Sequence, residues 1–462
     1  MFVRRNILKL AAPIVAEQFF IMSMGVVNTI MASNIGKEAV SAIGMVDSIS
    51  NIFITFFSSM AVGSTVVVAH YIGQRNIEAA NDTAKQSLFS GLVLSVAITA
   101  VTWLFRYQLI NFLFGTAESS VIQNSLVYLS ITLISYPLIS ITSVACGVLR
   151  GAGDTATPMK LTIYMNILNV ILSYLLIYGI HARNVHFDIN VPGMGVVGAA
   201  LAITLSRAFG ACLIIFILLK GSKVIRFSEL KSFRVRMDIQ KTIFNIGIPS
   251  GLEALIFNGG KLITQIFIVG LGTASIASNY IASSIFSLVN IPGSALSIAA
   301  TTLVGQSMGR GDSEEAGKSM INLTKLSTLC LLVICAAIIP FSRQLVGLYT
   351  QDAEIIPLAS QLIIQCAIFT PIFWSVSFVL PSGLRGAGDA KYPMAISFLG
   401  MWVFRIILGY LFAIPLGLGV AGVWLGMYID WIVRGILFAL RFKGGKWKQA
   451  VVIKETTESE SL

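Results

Sequence analysis

LRGAGD, at Leu149–Asp154, returns unchanged at Leu384–Asp389, 235 positions later. Both copies lie between long apolar runs, and each is followed four residues on by a proline, Pro158 or Pro393. The glycines suit a tight turn between helices, because glycine tolerates backbone angles that other residues avoid. The arginine and the aspartate suit water. Working outward, PIVAE (Pro13–Glu17) matches PSGLE (Pro249–Glu253), Gly36 matches Gly272, and IGQRNIEAA (Ile72–Ala80) matches MGRGDSEEA (Met308–Ala316), all 236 apart. Late in each half, PGMGVVGAALA (Pro192–Ala202) corresponds to PLGLGVAGVWLG (Pro415–Gly426), and the shorter spacing there follows from an extra polar loop, His181–Val191. A matched order of features at one spacing marks a tandem duplication.

Apolar residues make up 56% of the chain and charged residues 11%, with a mean hydropathy of +0.84. Soluble domains carry about 25% charged residues, so this composition cannot cover a soluble surface. Many windows of about 20 residues hold few charges, the length that crosses a bilayer. The first run contains internal polar residues and is followed by further spans, so it is read as a retained helix and not as a cleaved signal. Cys146, Cys212, Cys330, Cys335 and Cys366 all lie in apolar runs, without metal spacing, and read as small buried hydrophobes.

The expected fold is an all-α polytopic membrane protein of twelve transmembrane helices in two six-helix lobes, related by an internal pseudo-two-fold repeat. The first lobe, 1–219, holds helices at 10–33, 45–70, 86–108, 121–146, 159–180 and 193–219. A basic cytoplasmic linker, 220–242, follows; it reads equally as a surface helix on the inner leaflet. The second lobe, 243–441, holds helices at 243–268, 275–305, 320–341, 356–381, 394–414 and 420–441, and a polar cytoplasmic tail, 442–462, is expected to be disordered. With both termini inside, 24 of the 32 Lys and Arg residues fall on the cytoplasmic side, whereas the outer loops hold only Lys37, Arg106, Arg183 and Arg343. The positive-inside rule therefore sets the orientation. It also accounts for much of the net charge of +11 without a nucleic-acid partner. An even number of spans per half gives both halves the same direction, so their axis runs along the membrane normal, as in one class of secondary transporter.

Ionisable groups within spans are costly and point to function. Glu17 and Glu253 follow Pro13 and Pro249 at equivalent positions in the repeat, and each proline frees a backbone carbonyl near its carboxylate. They read as substrate or coupling-ion contacts; the alternative is a helix cap near the inner interface. Asn258, Lys261 and Gln265 add polarity to the same helix as Glu253, and Lys261 shares a face with Gln265. A buried lysine needs a partner or sheds its proton, so neutralising Glu253 or relaying protons is one reading of Lys261 and a structural role is the other. Gln18, Phe19, Phe20, Asn169, Phe257 and Asn279 are candidates for lining a central cavity. Asp430 and Arg434, four apart, read as a structural clamp, and Asp154 and Asp389 as turn residues near water. The chain has no Walker loop and no HExxH, and its three histidines are scattered. No enzyme and no bound cofactor is expected.

The duplicated halves, the paired proline–acid starts and the two LRGAGD turns together resemble the multidrug and toxic compound extrusion family across nearly the whole chain. The resemblance implies a bacterial antiporter that exports amphipathic, mostly cationic compounds in exchange for Na⁺ or H⁺. It further implies a multi-pass protein of the cytoplasmic (inner) membrane with both termini cytoplasmic, acting as a monomer on small organic cations. Many relatives carry a Val-Asp-Thr motif in helix 1, where this chain has Val27-Asn28-Thr29. An amide can coordinate Na⁺ through oxygen but carries no proton, which shifts the coupling charge to Glu17 or Glu253. The acid that some relatives place on helix 7 has no carboxylate counterpart at Asn258, and no acid occurs between Ile356 and Pro381. The alternative function is a flippase for a lipid-linked polyprenyl precursor, with Lys261, Arg207 and Arg405 facing its pyrophosphate. A structural membrane protein would explain the composition but not the duplicated acids.

Overall fold

Backbone groups in hydrocarbon must pair within their own segment, so apolar runs of this length fold as helices. A computed structural model describes residues 2–33, 35–115, 117–184, 187–222, 224–227, 233–450 and 452–453. In the first half of the chain the helices are α1 (Phe2–Ser33), α2 (Lys37–Gly73), α3 (Ile77–Leu104), α4 (Arg106–Phe114), α5 (Ser119–Leu133), α6 (Tyr136–Gly151), α7 (Ala156–Tyr178) and α8 (Gly195–Lys220). The second half holds α9 (Met237–Val269), α10 (Thr273–Val289), α11 (Ile291–Gly309), α12 (Ser313–Ile338), α13 (Ser342–Gly347), α14 (Ile355–Phe369), α15 (Ser375–Gly386), α16 (Lys391–Leu399), α17 (Gly409–Ala413) and α18 (Gly419–Lys443). Among the described residues ten helices are long and apolar enough to cross a membrane, or twelve if each of two bent pairs is one span.

The bent pairs correct two expected continuous helices, 121–146 and 275–305. α5 meets α6 at 49°, and α10 meets α11 at 49°. Proline lacks an N–H and its ring clashes with the carbonyl four residues back; Pro137 and Pro292 sit at the first turns of α6 and α11. Between α14 and α15, Thr370–Trp374 winds as a π-helix containing Pro371, and Gly400–Leu408 does the same between α16 and α17. Two helices begin earlier than expected because polar residues cap them. The Asn76 side chain accepts a hydrogen bond from the Ala79 N–H, and Asp312 from the Glu315 N–H, at matched positions of the repeat.

The polar loop His181–Val191 is not irregular. Gly179–Asn184 (β1) pairs antiparallel with Phe187–Pro192 (β2), placing Ile180 opposite Val191 and Arg183 opposite Asp188. Apolar residues alternate with polar ones along both segments, the period of a strand. The linker reading as a surface helix also needs correction: described residues 221–222, 224–227 and 233–236 are not helical. Ile225 instead packs fully buried with Ala80, Ala84 and Leu161, while the Arg226 N–H donates to Asn81 Oδ1 and Gln86 Nε2 to the Arg234 carbonyl. Nor is all of 442–462 loose. Trp447 is fully buried and stacks on Phe442 at 5.6 Å; residues 454–462 lie outside the described residues.

The LRGAGD turns are structural keystones. Gly151 lies so close to α2 that a Cβ would meet the Thr65 carbonyl oxygen at 2.5 Å, and one on Gly386 would meet that of Thr301 at 2.6 Å. Gly153 and Gly388 adopt φ +88° and +100°, where a side chain is strained. The Gly151 carbonyl accepts from Gln306 Nε2 at 2.9 Å, and the Gly386 carbonyl bonds His70 Nε2 at 2.9 Å. Each turn is thus latched by a side chain from the opposite half of the chain.

Candidate functional site

The proline in α1 places Glu17 one turn further on, where a residue of α6's last turn reaches it. Arg150 Nη2 donates to Glu17 Oε1 at 2.5 Å, with the carboxylate side chain 2% and the arginine 17% exposed. Glu17 Oε2 and Arg150 Nε have no protein hydrogen-bond partner among the described residues. The repeat builds the same contact in α9 and α15. Arg385 Nη1 donates to Glu253 Oε2 at 2.6 Å, Ser397 Oγ donates to Oε1 at 2.7 Å, and Arg385 Nη2 donates to Ser382 Oγ at 2.8 Å. The arginines of LRGAGD, expected in water, are therefore the partners of the two in-span acids. Sequence reasoning missed them because it treated the motif as a turn; the available signal was that both the arginine and the acid recur in the repeat.

Asp154 and Asp389 are also buried, at 5% and 8% exposure, and not in water. Asp154 caps α7 by accepting from the Thr157 N–H and hydroxyl. Asp389 accepts from Arg441 Nε at 2.8 Å. The turn chemistry is common to both and the partners differ.

Glu17, Asn28 and Glu253 are not drawn around one point. Eleven residues of helix separate Glu17 from Asn28, about 16 Å, and Glu253 is held by α15 and α16. Among the described residues no three His, Cys, Asp or Glu side chains group as a metal site. Gln18 is half-buried, while Phe19 is 53% exposed and meets half-buried Phe20 edge-on at 6.1 Å. The Phe20 carbonyl accepts from Asn166 Nδ2, and Asn169 is buried with Oδ1 unpartnered among the described residues. On α9, Asn258 Nδ2 donates to its own helix at Ala254. Lys261 does not reach Glu253; its ammonium lies 4.9 Å over the Phe257 ring.

Two further candidates do come together. Asn279 Nδ2 donates to Gln265 Oε1 at 3.2 Å, and Trp424 Nε1 donates to Asn279 Oδ1 at 2.9 Å. Gln265 and Asn279 line a cavity of about 540 Å³ with Tyr280 and Ser283. In the first half, Arg207 Nη1 donates to Ser135 Oγ, and Ser50 bonds Tyr136, so Arg207 braces the kink between α5 and α6. Asp430 and Arg434, read as a pair four apart on one helix, approach to 3.4 Å, both buried.

The MatE family model matches the chain twice, over residues 13–175 and 249–411. A probable multidrug resistance protein NorM of Thermotoga maritima is 31% identical, over 98% of this chain and 95% of its own length. An uncharacterized transporter of Bacillus subtilis, YisQ, is 29% identical over 96% of this chain and 95% of its own. A solved structure of a multidrug resistance MATE family transporter of the MOP superfamily, in an outward-facing conformation, shares the fold at TM-score 0.87 and 23% identity, covering 96% of this chain and 97% of that one. The protein belongs to the MatE family and is a multi-pass membrane transporter.

Proposed function

We propose that the protein is a secondary antiporter that exports amphipathic, mostly cationic drugs or toxins across the bacterial inner membrane in exchange for Na⁺ or H⁺. The relatives named as multidrug resistance proteins support the substrate class. Two six-helix lobes, 1–219 and 243–441, joined by the basic linker, would rock about the repeat axis with both termini cytoplasmic. The protein would act as a monomer.

The observation that carries the reading is the chain of contacts from each acid to the opposite half. Glu17 holds Arg150, the next residue is Gly151, and the Gly151 carbonyl is the acceptor for Gln306. Glu253 likewise holds Arg385, which precedes the acceptor Gly386 and its partner His70. A cation arriving at the carboxylate competes with the guanidinium. Protonation or Na⁺ binding frees the arginine, loosens the turn and weakens the latch, so ion occupancy biases the equilibrium between facing states. Substrate bound between the halves would bias the same equilibrium the other way.

Purified protein in liposomes, with a fluorescent organic cation and separately imposed Na⁺ and H⁺ gradients, tests this directly. One gradient should drive dye movement. Glu17→Gln and Glu253→Gln should each cut it by about tenfold or more, the scale of a lost charge-assisted contact, at unchanged membrane levels. Wild-type indifference to both gradients across several dyes overturns the antiport reading.

A further inference from the structure

Three cations of the second half converge on one aromatic ring. Lys261 Nζ lies 4.9 Å from the Phe257 centroid, the Arg405 guanidinium 5.5 Å and that of Arg434 5.7 Å; Arg434 also lies 4.7 Å over Phe378. Against them stands one carboxylate, Asp430, in ion-pair reach of Arg434. Glu253, one turn from Phe257, is already neutralised by Arg385. Two positive charges are left over.

The surplus is built in. Arg405 is carried on the π-helical turn Gly400–Leu408, a geometry frequent at functional sites. Gly400 has no side chain where a Cβ would collide with Asp430 Oδ1 and the Arg434 stem, so α18 can bring its charged pair against this turn. Arg434 is 2% exposed; its Nη2 donates to the Ser377 carbonyl at 3.4 Å, while its Nε has no hydrogen-bond partner among the described residues. Lys261 and Arg405 make no side-chain hydrogen bond or ion pair among the described residues, and both lie over the Phe257 ring, with Asp430 the carboxylate near Arg405. Like charges at this spacing repel, and a ring face offsets little of that.

We propose that Lys261, Arg405 and Arg434 form a subsite for the anionic group of an amphipathic ligand, an organic carboxylate or phosphate. An oxyanion accepts at once from the lysine ammonium and the planar guanidinium forks. The apolar body of the ligand lies on Phe257 and Phe378. Lys261, the exposed member, meets the ligand first. The transporter thereby takes anionic or zwitterionic amphiphiles in addition to the cations proposed above, and this inference does not depend on the coupling ion.

Equilibrium dialysis of radiolabelled 2-naphthoxyacetate against the purified full-length protein in dodecyl maltoside tests it, with the methyl ester and 2-naphthoxyethylammonium as uncharged and cationic counterparts. Wild-type protein should bind the carboxylate at least about tenfold tighter than the ester, the scale of a charge-assisted contact. Lys261→Gln and Arg405→Gln should each remove about tenfold of that preference while leaving the ammonium compound unaffected. Neither side chain makes a hydrogen bond or ion pair among the described residues, Asp430 keeps Arg434 in both variants, and elution as a single species checks folding. Equal binding of carboxylate and ester, or an unchanged preference in both variants, overturns the subsite. Adding phosphatidylglycerol, with phosphatidylcholine as control, separates the sources. Selective displacement by phosphatidylglycerol assigns the site to a lipid phosphate, and no displacement assigns it to a free organic anion.

Discussion

The two acid–arginine pairs arise from one duplicated pattern, but they are finished differently. Glu253 has both oxygens engaged, and Arg385 has Ser382 as a second partner. Glu17 is more enclosed and leaves Oε2 and Arg150 Nε without hydrogen-bond partners among the described residues. At the repeat spacing the positions of Ser397 and Ser382 are occupied by Thr162 and Gly147, and Gly147 is tied up in close contact with Ala61 and Thr65. Duplication has kept the backbone cage and changed the polar lining. A carboxylate with a bare oxygen has lone pairs left to offer a cation; a saturated one holds two helices together. Under the coupling proposed above, the first pair is the ion sensor and the second the clamp.

Breaking the pairs gives the largest expected effect. Glu17→Gln leaves the Arg150 charge buried against an amide and should cost about 3 kcal/mol, read as lowered thermal stability in detergent. Glu253→Gln should cost about half as much, since Arg385 keeps Ser382. Equal losses would erase the contrast between sensor and clamp.

The turns should behave alike where the pairs do not. Gly151→Ala and Gly386→Ala each force a methyl against a carbonyl at 2.5–2.6 Å, and each should lower stability by about 2 kcal/mol. A large cost in only one turn would show that the two halves do not close by the same contact. The latches come next. His70→Ala and Gln306→Ala each remove one interhalf hydrogen bond and should cost about 1 kcal/mol, with combined loss greater than either in a double-mutant cycle if the latches act together. Smallest is the helix entry, where Arg75 takes φ 60° and its counterpart Gly311 φ +78°. Gly311→Ala should cost about 1 kcal/mol, while Arg75→Gly should gain about 0.5 kcal/mol.

The span pattern, the repeat and the helix-start acids were legible because hydrophobic runs and duplicated order survive in one dimension. The kinks were half legible: Pro137 and Pro292 were visible, yet Pro13 and Pro249 look the same in sequence and sit inside unbroken α1 and α9. Whether a proline breaks a helix depends on what neighbouring helices offer the freed carbonyl. The Glu17–Arg150 pairing joins residues 133 apart, and no local pattern announces it. The cations around Phe257 come from three separate helical segments; read singly, Lys261 is a partner for Glu253 or a proton relay, Arg405 a contact for a pyrophosphate and Arg434 half of a clamp. Trp447 marks the limit of composition, since a polar tail hid one buried anchor.

The central claim is that ion occupancy of the first pair releases the halves from each other. Spin labels at Glu38 and Thr273, exposed positions at the starts of α2 and α10, would report the distance between the halves by pulsed electron resonance, with and without the coupling ion. The distance distribution of otherwise wild-type protein should shift on ion addition, and Glu17→Gln should show one distribution in both conditions. A Glu17→Gln protein whose distribution still shifts as wild type does would contradict the account.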